Sequence, residues 1–464
     1  MSRKRAIQAA GLLGLALAAL AAPAGAAAGT AGVAARAAGG APVAGVAARA
    51  AGAPEPDTTV LALEHVTVID GTGAPPRADR TVVIAHGRIE AEFAGGSRPL
   101  PEGARTEDLT GRFLIPGLID AHVHLTGAAP DMAAYRKLLG WALRGGVTSV
   151  RDMAGDDRIL AHLSREAMLG EMASPDIFYA ALMAGPTFFA EDGRAQAASA
   201  GEVLGEAPFM RQVTGATDLP LAVAAAKGTG ATALKLYANL PARLVGSLTA
   251  EAHRQGMLVW THATIFPAGP MDAVRAGADV ISHSAYLAWA AAGRVPQDYG
   301  VRARADYRHI APDDPRIAAV LDSMKARGTI LDATLWIFAH EVAANPAAVG
   351  AGLPAWQDSV TRLAHRRGVL VDAGTDGLGT EADTVPNVHR EMAYLVRHAG
   401  FTPLEAIEAA TRVAAMTIGQ EATRGTITPG KRADLVVLSA DPSADIRNTR
   451  RIVAVLKEGR TYEH

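Results

Sequence analysis

Between residues 115 and 419 the chain repeats one pattern: a short apolar run ending on a polar residue, then a stretch with helical spacing. The runs include Phe113-Leu-Ile-Pro-Gly-Leu-Ile-Asp120, Val147-Thr-Ser-Val-Arg-Asp152, Ala233-Leu-Lys-Leu-Tyr237 and Met257-Leu-Val-Trp-Thr-His262. They continue with Asp279-Val-Ile-Ser-His283, Thr329-Ile-Leu-Asp-Ala-Thr334 and Gly368-Val-Leu-Val-Asp372. Helical patterns between them cover, for example, residues 271–276, 316–326 and 403–418. Near-continuous apolar strands are buried on both faces, which is the condition of a parallel sheet covered by helices. Sustained alternation of this kind predicts an α/β chain folded as a (β/α)8 TIM barrel over residues 115–420.

The two ends of the chain carry a different pattern. Thr59-Val-Leu-Ala-Leu63 and His65-Val-Thr-Val-Ile69 read as β segments, followed by a turn at Asp70-Gly-Thr-Gly73. Thr81-Val-Val-Ile-Ala85, a turn at His86-Gly87 and Arg88-Ile-Glu-Ala91 read as a hairpin. Ala433-Asp-Leu-Val-Val-Leu438 and Ile452-Val-Ala-Val-Leu456 match them at the far end. The economical arrangement is one small β-sandwich built from both ends, residues 58–114 and 421–464, with the barrel inserted between. Residues 1–26 read as a signal peptide: Arg3, Lys4 and Arg5, then an apolar Ala/Leu stretch, then Ala24-Gly-Ala26 as a small-residue cleavage site. The alternative is a membrane anchor through residues 6–22, but the stretch is Ala-rich and ends on Pro23, which favours cleavage and a secreted or extracytoplasmic protein. Residues 27–57 are nearly all Ala, Gly, Val, Pro and Arg, with too little apolar bulk for a core, and read as a disordered linker.

Composition removes several kinds of chemistry. The 464 residues carry 45 Lys and Arg against 47 Asp and Glu, net charge -2, and no basic run, so nucleic acid is not an expected partner. With no Cys there is no disulfide framework, thiolate zinc site or thiol nucleophile. Any metal falls to His, Asp, Glu or a modified Lys, which directs attention to the 14 His.

In a βα barrel the reacting groups sit where strands end and βα loops begin. His122 and His124 end the first strand, and positions i and i+2 of a strand share a face. Lys235 lies inside an apolar strand, costly to bury as a cation. His262, His283 and Asp376 end three later strands. A single His at a strand end is more often a satisfied polar group than a ligand; several strand ends in barrel order are another matter. His162, His253, His309, His340, His365 and His398 fall in helical or loop contexts and read as surface residues, and His65 and His86 as part of the β domain. His389 reads as packing rather than substrate contact. The Glu191-Asp192 pair reads as solvated loop rather than a receptor for a basic group. The loops of residues 185–220 and 285–308 carry no motif that names a substrate.

Pro116-Gly-Leu-Ile-Asp-Ala-His-Val-His-Leu125 resembles the first-strand motif of the amidohydrolase superfamily, and Ala373-Gly-Thr-Asp-Gly377 its last-strand aspartate motif. Phe401-Thr-Pro-Leu-Glu-Ala-Ile-Glu-Ala-Ala-Thr411 and Gly425-Thr-Ile-Thr-Pro-Gly-Lys-Arg-Ala-Asp-Leu-Val-Val-Leu438 resemble its imidazolonepropionase-like group, which includes Xaa-Pro dipeptidases (prolidases). The resemblance implies two divalent ions, usually Zn2+. His122, His124 and Asp376 would hold the first, His262 and His283 the second, with Lys235 carboxylated by CO2 as the bridge. It further implies an amide hydrolase in which a metal-bridging hydroxide attacks and Asp376 moves the proton. Tyr237, on the face of Lys235, would hydrogen-bond the oxyanion or a substrate carboxylate. A dipeptide or N-acyl amino acid is the expected small-molecule substrate. A mononuclear deaminase or cyclic-amide hydrolase is the alternative, disfavoured by Lys235, and a non-catalytic binding barrel is remote. Oligomerisation is open, and no membrane partner is expected once the signal is cleaved.

Overall fold

The computed structural model describes residues 60–126, 131–297, 299–345 and 349–463. The signal-peptide and linker readings fall on residues outside this set. Among the described residues eighteen strands form two sheets. In chain order they are β1 Leu61–Val68, β2 Arg77–Ala85, β3 Arg88–Ala94, β4 Arg105–Asp108, β5 Phe113–Pro116 and β6 Leu118–Val123. There follow β7 Val147–Asp152, β8 Asp176–Ala184, β9 Glu206–Ala207, β10 Met210–Gln212, β11 Ala233–Leu236 and β12 Leu258–His262. The last are β13 Val280–Ser282, β14 Ile330–Asp332, β15 Val371–Asp372, β16 Leu435–Leu438, β17 Ile452–Lys457 and β18 Arg460–Glu463.

The barrel is β6, β7, β8, β11, β12, β13, β14 and β15, each parallel to the next. The ring closes between β15 and β6 at the Asp120 carboxylate: Thr375 donates its backbone N–H and its Oγ1–H to the two oxygens, at 3.2 and 2.7 Å. Its strands are buried along their whole length from β6 through β7, as two-sided burial requires. The lower interior is filled by Ile119, Ala233, Trp260, Val280 and Ile330 against Val413, Ala414 and Ile418 of the last helical segment. Trp260 Nε1 and Arg151 Nη1 both donate to Thr417 O at 3.2 Å, which fixes that plug.

The run from Phe113 to Asp120, continuous in sequence, divides at Gly117. β5 pairs with β1 and β16 of the second sheet, whereas β6 opens the barrel. Glycine is required there by crowding, since a Cβ on residue 117 would sit 2.2 Å from Thr148 Oγ1. β8, nine residues long, is a barrel strand that was not among the runs singled out from sequence. Its segment, DIFYAALMA, has no polar stop, because it passes directly into the loop that covers the site.

The second sheet is mixed and runs β18-β17-β16-β5-β1-β2-β3, with β4 also paired to β1. It draws on both chain ends. Asp176, at the start of β8, binds Lys457, Arg424 and Arg432 at 2.6, 2.9 and 3.0 Å and so ties that sheet to the barrel. Among the described residues no helix is long and apolar enough to cross a membrane.

Candidate active site

The C-terminal ends of the barrel strands bring together every residue expected there. His122 lies within β6 and His124 just past it; Lys235 lies in β11 with Tyr237 after it; His262 ends β12, His283 follows β13, and Asp376 follows β15. The ring of His283 lies 5.2 Å from that of His122 and 4.8 Å from that of His262. Asp376 Oδ1 is 3.1 Å from Nε2 of both His122 and His124. One donor atom each from His122, His283 and Asp376 lie within 4.8 Å of one another, a spacing that a single cation could span. Lys235 is fully buried beneath them, its Nζ donating to Ser282 Oγ at 3.3 Å.

Two of these residues hold strained backbones. His283 and Asp376 have φ of 72° and 57°, the left-handed region that non-glycine residues rarely occupy. Strain of this kind persists where surrounding contacts over-determine it, commonly at functional sites.

The partners that aim the imidazoles were not read from sequence. Asp332, ending β14, accepts from His122 Nδ1 at 2.5 Å and leaves Nε2 facing Asp376. Thr334 Oγ1 meets His283 Nδ1 at 2.8 Å. Glu391 accepts the N–H groups of Leu335 and Trp336 at 2.9 and 2.7 Å and so fixes the turn that carries Thr334. The signal for Asp332 was present, since it sits at the polar end of an apolar run. Nothing local marks Glu391, which reaches the turn from a distant helix.

Electrostatics follow from burial. Desolvation alone lowers His122, but the carboxylates of Asp332 and Asp376 outweigh it and raise that imidazole to about 9. Burial lowers His283 to about 3 and pulls His262 well down, with Lys235 adding to both. Burial also lowers the Lys235 ammonium to about 8, against the pull of Asp332 and Asp376. Burial raises Asp376, yet His122, His124 and His283 bring its carboxyl well below the usual range. His262 Nδ1 is a buried nitrogen with no hydrogen-bond partner among the described residues. An unpaired buried imidazole nitrogen is costly unless a ligand takes it. With only imidazole and carboxylate donors converging, the set suits a borderline divalent cation such as zinc.

The site is walled on one side and open on the other. Tyr237 packs on His262 at 4.2 Å, and Tyr299 stacks on the same ring at 5.8 Å and 8°. His124 and Asp376 keep 37% and 22% of their side-chain surface exposed, against 1–3% for His122, His262 and His283, so the site opens on their side. The walls come from the loops without motifs: residues 185–220 contribute Phe188 and Arg194, and residues 285–308 contribute Tyr286, Tyr299 and Arg302. Asp192 is committed to its own helix, accepting from the N–H of Arg194 and Ala195, and to the Arg194 guanidinium at 2.6 Å. His389 is buried and bonded to Thr449 Oγ1 and Gly145 O, a packing role. His65, His86, His162, His253, His309 and His340 are exposed, and His365 and His398 stack on Phe401 and Tyr394 near the surface.

A barrel with this constellation is matched over residues 113–462 by the model of the amidohydrolase family. The chain belongs to that family. Among characterised proteins, ochratoxinase of Aspergillus niger is 26% identical over 450 residues, covering 85% of each chain. Among solved structures, a protein provisionally designated a prolidase, from Bifidobacterium longum, is 26% identical with a TM-score of 0.66, covering 87% of this amidohydrolase and 95% of that chain. A Xaa-Pro dipeptidase with bound methionine has a TM-score of 0.69 at 22% identity, covering 88% and 100%, and so speaks to the fold. The family hydrolyses C–N bonds of small molecules, and the site lies where a TIM barrel places its chemistry.

Proposed function

We propose that this amidohydrolase is a metal-dependent amide hydrolase with a binuclear zinc site, acting on an N-acyl amino acid or dipeptide. The observation that carries the reading is the convergence of Asp376 Oδ1 on His122 Nε2 and His124 Nε2, both at 3.1 Å, beside the unpartnered Nδ1 of His262. His122, His124 and Asp376 would hold one ion and His262 and His283 the other, with Lys235 between. Divalent ions in such a site polarise a carbonyl oxygen and make a water ionisable near neutral pH. An ammonium cannot ligate a cation, whereas a carbamate formed from the neutral amine and CO2, with release of one proton, supplies two anionic oxygens. The lowered Lys235 amine favours that neutral form.

The chain's own groups divide the remaining work. Asp376, on the open side, accepts a proton from the attacking water at a carboxylate oxygen and returns it to the leaving amine. Tyr237, with its hydroxyl 2.6 Å from that of Tyr299, presents a hydrogen-bond donor beside His262. Asp332 and Thr334 hold His122 and His283 in one tautomer. Secretion is proposed on the N-terminal signal alone.

A mononuclear deaminase has one observation in its favour, since His122, His283 and Asp376 form a single compact donor set. Buried Lys235 argues the other way. The deciding experiment is to reconstitute the full chain with zinc and bicarbonate, count its metal and screen N-acyl amino acids and dipeptides alongside purine and pyrimidine amines. Two ions per chain, with amide turnover lost in Asp376→Asn, support the proposal. One ion with ammonia release from a ring amine replaces it.

A further inference from the structure

We infer that Arg302 is the receptor for a carboxylate on the substrate, and that it selects acids over their neutral amides. The inference rests on the amide-hydrolase reading for where the scissile bond lies, but not for the anion site itself. Arg302 is half-buried in the loop after β13, its guanidinium stacked 4.2 Å from the centre of the Tyr299 ring. Among the described residues its electrostatic partners are Tyr299, Tyr286, Tyr237 and Arg194, and no carboxylate forms an ion pair with it. Two other interior arginines meet a carboxylate, Arg194 at Asp192 and Arg424 at Asp176, whereas the Arg302 side chain hydrogen-bonds only the neutral hydroxyl of Tyr286 among the described residues. A buried cation whose partners among the described residues are neutral hydroxyls and a ring face is incompletely compensated for its desolvation, which an anionic ligand relieves.

The surroundings favour an anion over any other guest. Arg194 Nη2 donates to the Tyr237 hydroxyl at 3.1 Å, and that hydroxyl lies 2.6 Å from that of Tyr299. Two guanidinium groups therefore lie at one patch of tyrosine hydroxyls, and among the described residues a carboxylate, Asp192, pairs with Arg194 alone. A guanidinium edge matches a planar carboxylate in two parallel hydrogen bonds. The patch also lies next to the metal-competent residues, because the ring of His262 touches both Tyr237 at 4.2 Å and Tyr299 at 5.8 Å. An anion held there must be only a few bonds from the atom that reacts. The α-carboxylate of an amino acid, two bonds from the amide nitrogen, meets that condition; a distant side-chain acid does not. Substrates would thus present a free C-terminal carboxylate next to the cleaved bond.

The test uses the zinc-loaded full chain, with N-benzoyl-L-phenylalanine and its carboxamide as probes, and Arg302→Gln and Arg302→Lys as variants. Binding is measured by calorimetry with both probes, and benzoate release by chromatography. The wild type should prefer the acid, and Arg302→Gln should reduce the acid-to-amide ratio at least about tenfold, with Arg302→Lys in between. A ratio unchanged in Arg302→Gln, or equal loss with both probes at unchanged melting temperature, overturns the inference. Should the wild type cleave neither probe yet lose acid-selective binding only in Arg302→Gln, the receptor stands and the amide-hydrolase reading falls.

Discussion

Replacing Asp332 by Asn isolates the contribution of an orienting carboxylate to metal affinity. Asp332 and His122 are 0% and 1% exposed and meet at 2.5 Å, so the bond is made without water. A hydrogen bond to a charged group is worth about 1.5–3 kcal/mol, and a neutral one about 0.5–1.5. Asparagine keeps an acceptor but loses the charge, so the expected loss is about 1–2 kcal/mol, and each 1.4 kcal/mol is about tenfold in affinity. Zinc affinity should fall by about 5- to 30-fold, which overlaps the roughly 10- to 100-fold range typical of partners of metal-ligating histidines. Stability need not fall with it. Burial and the neighbouring Asp332 together hold the Asp372 carboxyl well above its usual range, and the substitution removes one of two crowded acids. The assay is competition for zinc against a fluorescent chelator at pH 7.5, with a thermal melt of the metal-free chain as control. Zinc affinity within about twofold of wild type in both Asp332→Asn and Asp332→Ala, with the fold intact, would refute the argument that this bond aims His122.

Lys235→Ala should reduce bound zinc from two ions per chain to one, read by plasma mass spectrometry; two ions retained would remove the bridging role. Thr334 carries a β-branched side chain at φ 49°, so Thr334→Gly relieves strain while deleting the hydroxyl on His283. Its melting temperature should hold or rise while zinc binding weakens about tenfold, and a loss of stability at unchanged zinc affinity would contradict this. Asp176 is raised by burial but lowered further by Lys457, Arg432 and Arg424, to about 2. A depressed carboxyl contributes stability that is present above its unfolded value near 4 and is lost as pH falls through about 2. Asp176→Asn should therefore cost about 2 kcal/mol at pH 6 and less at pH 2, measured by denaturant unfolding across that range; a penalty independent of pH would count against the ion network.

Much of the site was legible because barrel topology converts chain order into position. Once the apolar runs are read as parallel strands, their polar ends must share one rim, and His122, His124, Lys235, His262, His283 and Asp376 follow without coordinates. What failed locally had local reasons. β8 lacks a polar stop, and the division at Gly117 depends on a contact with Thr148 that the sequence does not display.

The sequence by itself determined the fold class and the inventory of donors, since strand burial and the absence of cysteine are properties of residue order and type. Tertiary structure alone decided how those donors are aimed and what surrounds them. Asp332, Thr334 and Glu391 act through hydrogen bonds whose partners lie up to 210 residues apart. Arg302 gains its meaning only from the charges that are near it and those that are not. Periodicity reports which face of an element is buried; it carries no record of which long-range partner meets a buried charge, and that partner sets its chemistry.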